Sequence, residues 1–129
     1  RYHPRQMKYA ARTMYVVTTK AVPVPLFYQT CNLPDTFTSF ATIMFLHVYM
    51  LMLRLRLEQR SGQLVRNELV KAMWFDFDNR LSGVRGISAA QRYEQIGKLD
   101  QVFLASVIGY DEGILGSDSR LAAAVYRHL

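Results

Sequence analysis

Between Ile43 and Leu53 the sequence reads IMFLHVYMLML, and His47 is its only polar residue. A helix built from such a run has no polar face, so neighbours must cover it on most sides. The run lies inside a longer apolar segment from about Thr36 to Arg60, entered through the Asn32, Pro34, Asp35 cluster, which has the composition of a loop ending in an N-cap. A membrane span is the rival reading. The unbroken apolar stretch falls short of the roughly 18 residues that mark a span, and Arg54 and Arg56 follow it directly. The expectation is therefore a central core helix, with the rest of the chain supplying its cover.

The rest of the chain reads as helix nearly throughout. Met7, Ala10, Ala11, Met14 and Val17 recur at helical spacing over Arg5 to Val17, and Arg5, Lys8 and Arg12 fall together on another face. Thr18 to Pro25 reads as an extended connector, since Pro23 and Pro25 each lack the N–H that a strand ladder needs. A short helical turn follows at Leu26 to Thr30. Ser61 and Gly62 mark a turn, and a long helix follows from about Gln63 to Leu81. Its apolar residues form two stripes, one of Val65, Leu69, Ala72 and Met73, the other of Val70, Trp74, Phe77 and Leu81. Ser88 and Gln91 have capping-box spacing and start another helix. Ile96, Leu99, Phe103, Val107 and Tyr110 form its seam, and Gly113 and Gly116 end it. A last helix runs from about Asp118, with Leu121, Val125 and Leu129 on one side. The fold expected is all-α, a compact bundle of about five to six helices around a central apolar helix, forming one domain over 1–129.

Composition narrows the chemistry. Half of the 129 residues are hydrophobic and 20% are charged, the balance of a globular domain. The formal charge of +6 favours anionic partners such as RNA or lipid headgroups. Cys31 is the only cysteine, so no intramolecular disulfide can form, and no base near it in sequence would make it a nucleophile. His3, His47 and His128 are isolated, with no spacing that would hold a metal, and the glycines stand singly at helix ends instead of in a phosphate-binding loop. No catalytic residues, cofactor, metal or small-molecule substrate are expected. Arg1 opens the chain without an initiator Met, so any targeting sequence is expected to lie outside it.

Three ordered blocks carry a family resemblance. CNLPDTF at Cys31 to Phe37, then Leu46, His47, Val48 and Arg54, and EQRSG at Glu58 to Gly62, form the first. Met73 and Trp74 followed by Asp76 form the second. GYDEGIL at Gly109 to Leu115, with Asp118 and Leu121 to Ala124, forms the third. Together they resemble the ubiquinol-cytochrome c reductase assembly chaperones over roughly Tyr9 to Leu129. One departure is Tyr49, where the family pattern has Trp. The resemblance implies an assembly factor that binds newly synthesised cytochrome b during biogenesis of respiratory complex III, together with a small helical partner, near the mitochondrial ribosome and on the matrix side of the inner membrane. The alternative is a ribosome-associated or RNA-binding helical module, acting mainly through charge because the chain lacks the usual aromatic RNA-stacking motifs.

Three groups of residues are candidates for function. Arg5, Lys8 and Arg12 form a basic surface that could meet ribosome or membrane, or be only a solvated face. Trp74, Phe75 and Phe77 offer apolar surface for a client or partner, or ordinary core packing. His47, Arg54, Asp76 and Asp111 are polar residues expected to join in one buried network, with Arg54 bonding Asp76 or Asp111. The competing arrangement leaves Arg54 at the surface and pairs Asp76 with Arg80, one turn on.

Overall fold

In a computed structural model, which describes residues 3–129, six α-helices follow one another in chain order. They are α1 (Pro4–Ala21), α2 (Val24–Thr30), α3 (Phe37–Leu55), α4 (Gln59–Ser82), α5 (Ala89–Leu115) and α6 (Asp118–His128), with a single 3₁₀ turn at Arg56–Glu58. No strand occurs among the described residues, and the all-α expectation holds. The chain divides into two compact units, one of residues 1–22 and 50–96, the other of residues 23–49 and 97–129. Both α3 and α5 run from one unit into the other.

Local chemistry sets the helix starts. The His3 ring nitrogen accepts from Arg5 N–H at 3.1 Å while Gln6 Oε1 accepts from His3 N–H at 3.0 Å, and Pro4 occupies the first turn, where its missing N–H costs nothing. Ser88 and Gln91 form the reciprocal pair expected of a capping box, at 3.1 and 2.8 Å. Thr36 Oγ1 accepts from Ser39 N–H at 3.2 Å at the entry to α3, just past Asn32, whose φ of 54° places it in the left-handed region that Asn tolerates.

Three expectations are corrected. Thr18 to Ala21 continue α1, so the connector shrinks to the residues around Pro23. Thr18 and Thr19 turn their hydroxyls back onto the Met14 and Val16 carbonyls, which lets polar residues remain helical. Gly62 lies inside α4 instead of ending a helix. A Cβ there would overlap the Leu55 carbonyl oxygen and sit 2.9 Å from Glu58 Cβ, so this glycine permits a close approach where α3 gives way to α4. The length argument against a membrane span also falls, because Phe37 to Glu58 is 22 residues long and apolar enough to cross one. Eight of its residues, from Ser39 to Tyr49, are nonetheless buried against protein, as in a core helix.

In the first unit α1 and α4 lie side by side and run in the same direction. Met7 shares a hollow with Gly62 and Val65, Tyr15 bonds Asp76, and Thr19 shares a groove with Asn79. The buried seam is Met7, Ala11 and Tyr15 on α1 and Leu69, Met73, Phe77 and Leu81 on α4, each at a spacing of four, as interlocking ridges require. Arg66 Nη1 donates to the Leu55 carbonyl at 3.2 Å, satisfying an end group of α3 with a cation on the negative side of its dipole. Arg92 reaches Asp78 at 3.0 Å and ties the start of α5 to α4.

In the second unit the core is aromatic. Phe45 meets Phe103 with ring centroids 5.0 Å apart, and Tyr49 meets Tyr110 at 5.2 Å. Helix α6 docks on glycines of α5. A Cβ at Gly109 would overlap the His128 ring, and one at Gly113 would lie 3.0 Å from Leu121 Cα and 3.2 Å from Ala124 Cβ.

Candidate binding site

Each unit is fastened by a tyrosine that donates to an aspartate. In the first, Tyr15 Oη donates to Asp76 Oδ2 at 2.6 Å, and Arg80 Nε donates to the same oxygen at 2.7 Å. Burial first, then the bond to Asp76, holds the Tyr15 phenol well above its ordinary pKa. In the second, Tyr49 Oη donates to Asp111 Oδ1 at 2.7 Å.

The four polar residues expected to form one network are distributed differently. Asp76 is half-buried and takes Tyr15 and Arg80, while Arg54 is exposed. The expected Arg54–Asp76 bond is absent from the described contacts, because Arg54 heads the solvent-facing end of α3 and Asp76 faces α1. His47 Nδ1–H donates to the Ile43 carbonyl at 2.8 Å within its own helix, and its ring stands edge-on to Phe27 at 5.4 Å. The Tyr15 partner escaped sequence reasoning because it lies on a different element, 61 residues away. The only signal was an aspartate inside an apolar stripe, which demanded some donor without naming it.

The aromatic trio also divides. Phe77 is fully buried and belongs to the core, which corrects its assignment to a partner surface. It continues the Leu69, Met73 seam by four residues, so its face of α4 is the packed one. Trp74 is half-buried and packs edge-on against Phe77 at 5.5 Å. Phe75 alone projects outward, at 69% exposure.

Phe75 and two of the three basic residues meet in one place. A groove of about 530 Å³ runs between α1 and α4. One wall is the α1 ridge of Lys8, Arg12 and Val16, the other the α4 ridge of Lys71, Phe75 and Asn79, and Tyr15, Ala72 and Asp76 form the floor. Lys71 is paired with Glu68 at 3.1 Å. Lys8 and Arg12 are exposed and make no ion pair among the described contacts. Arg5 is exposed as well and borders a neighbouring smaller hollow with Lys8.

In the second unit Tyr110 and His128 lie edge-on at 5.7 Å. Burial pushes the Tyr110 phenol up to about 12, and its hydroxyl is buried without a hydrogen-bond partner among the described residues. Burial, then the nearby Arg127 charge, lowers the His128 pKa. Cys31 is exposed, and among the described residues no three His, Cys, Asp or Glu side chains gather as a metal site.

These features are those of an all-α domain whose helices are fastened by phenol–carboxylate bonds and which carries an open groove of mixed apolar and charged character. Sequence comparison assigns its kinship: residues 29–129 match the family described as ubiquinol-cytochrome C chaperone, and the chain belongs to that family. It is similar to ubiquinol-cytochrome-c reductase complex assembly factor 1 of Xenopus laevis, 34% identical over 100% of this chain and 64% of the relative. With the Mus musculus protein of the same designation it shares 35% identity over 98% of this chain and 43% of the relative. With "Protein CBP3, mitochondrial" of Saccharomyces cerevisiae it shares 30% identity over 80% of this chain and 31% of the relative. The chain thus spans between about a third and two thirds of the length of these relatives. No solved structure matches it.

Proposed function

We propose that this chain is the client-binding domain of a mitochondrial assembly factor, one that holds newly synthesised cytochrome b while ubiquinol-cytochrome c reductase is built. It acts on the matrix side of the inner membrane with a small helical partner protein, and it stabilises its client without chemically transforming it. The observation that carries this reading is the 34% identity, over the whole of this chain, to a protein named as an assembly factor of that complex. The groove between α1 and α4 supports a binding role, since it offers an apolar ring and free cations in place of a nucleophile and base.

The test is to tag the chain in mitochondria, label newly made mitochondrial proteins and recover what co-purifies. Labelled cytochrome b and a small helical protein should be retained as salt rises, because an apolar client interface responds weakly to screening. Recovery of ribosomal RNA without cytochrome b, lost steeply with salt, would replace this reading with the ribosome-associated alternative.

A further inference from the structure

We infer that the groove between α1 and α4 receives an acidic amphipathic helix of a partner protein, apolar residues against Phe75 and Val16, and carboxylates against Lys8 and Arg12. This deepens the reading proposed above and rests on it, by naming a face and the kind of segment it takes.

Charge complementarity selects the occupant. Of the charges in the groove, Glu68 is matched by Lys71 and Asp76 by Arg80, whereas Lys8 and Arg12 have no acidic counterpart among the described contacts. The uncompensated charge is therefore positive and confined to one wall. Lys8 and Arg12 are four residues apart on α1, so their heads are stacked one turn above the other, the spacing at which carboxylates four apart on a neighbouring helix would meet them. Val16 continues the same ridge at 46% exposure and Phe75 faces it from α4 at 69%. A helix lying in this cleft would become a third member beside α1 and α4, with apolar side chains meeting Phe75 and Val16 as in helix-in-groove recognition. A nucleic acid or lipid surface fits less well. A sugar–phosphate backbone offers no apolar side chains to Phe75 and Val16, and a flat bilayer could not reach the floor of the groove.

The test uses the full chain and a defined probe, a fluorescent helical peptide with two leucines four residues apart, flanked by glutamates also four apart. The peptide should bind, and its lysine-for-glutamate counterpart should not. Lys8→Glu with Arg12→Glu should weaken binding at least about tenfold, as reversal of two contacting charges does. Phe75→Ala should weaken it comparably, and because all three residues are exposed the variants should fold. Binding that ignores both sets of substitutions overturns the inference, as does equal binding of the two peptides. Tighter binding of single-stranded RNA or of anionic phospholipid vesicles than of the acidic peptide also overturns it. None of these failures touches the assembly role, which is read separately by co-purification of cytochrome b.

Discussion

Tyr15 and Asp76 join α1 to α4 through one 2.6 Å hydrogen bond from a buried phenol to a carboxylate that also holds Arg80. The phenol is a neutral donor and the carboxylate keeps part of its surface in water, so the pair avoids the desolvation of two full charges. Tyr15→Phe keeps the ring and removes the donor to a charged acceptor. It should cost roughly 2 kcal/mol, typical of a bond to a charged group, read as a lower urea midpoint with unchanged slope.

Tyr110→Phe should behave oppositely. Its hydroxyl is buried without a partner among the described residues, so removing it breaks no described hydrogen bond. The variant should be as stable as the parent or up to about 1 kcal/mol more stable at neutral pH, in the same urea experiment.

The two phenols also set an alkaline limit. Burial raises the Tyr110 pKa from 10.0 in the free side chain to about 12 when folded. A raised folded pKa means that the folded state keeps its proton more tightly, so its contribution is fully present below pH 10 and is lost as pH rises from 10 toward 12. Tyr15 shifts in the same direction. Melting temperature should therefore fall through that window, and Tyr110→Phe should flatten the decline.

Glycines on α5 separate into required and dispensable ones. Gly109→Ala would drive a methyl group into His128, and should destabilise the seat of α6 by about 1–3 kcal/mol, as overpacking does. Gly97→Ala meets nothing within 4 Å, and should stabilise the helix by roughly 0.5–1 kcal/mol through reduced chain entropy. Thermal unfolding of the two variants, with opposite shifts, checks both.

Arg54→Ala should change stability by less than about 0.5 kcal/mol, because the residue is exposed and no carboxylate pairs with it among the described contacts. A loss of several kcal/mol in chemical denaturation would restore Arg54 to a buried network.

The helices themselves were legible in the sequence, because capping and periodicity act within a few residues. Ser88 with Gln91 predicts the start of α5, and Leu99, Phe103 and Tyr110 predict its buried seam. Asp76 could be recognised as a carboxylate in need of a partner. Its pairing with Arg80, one turn on, was one of the two arrangements that the sequence left open; that Tyr15 is a further partner, that Phe77 is core while Phe75 is exposed, and that the basic ridge of α1 borders Phe75 were decided by which faces of α1 and α4 meet. The apolar residues of α1 predicted a face through Ala10 and Val17, yet both are exposed and Tyr15 is buried in their place. A hydroxyl looks polar in a one-dimensional pattern, and its residue joins the core once a carboxylate on another helix accepts its hydrogen bond. Sequence fixes what each helix is able to bury, since that depends on neighbours three and four residues away; the rotation of one helix against another depends on donors and acceptors brought together across 61 residues, and only packing decides it.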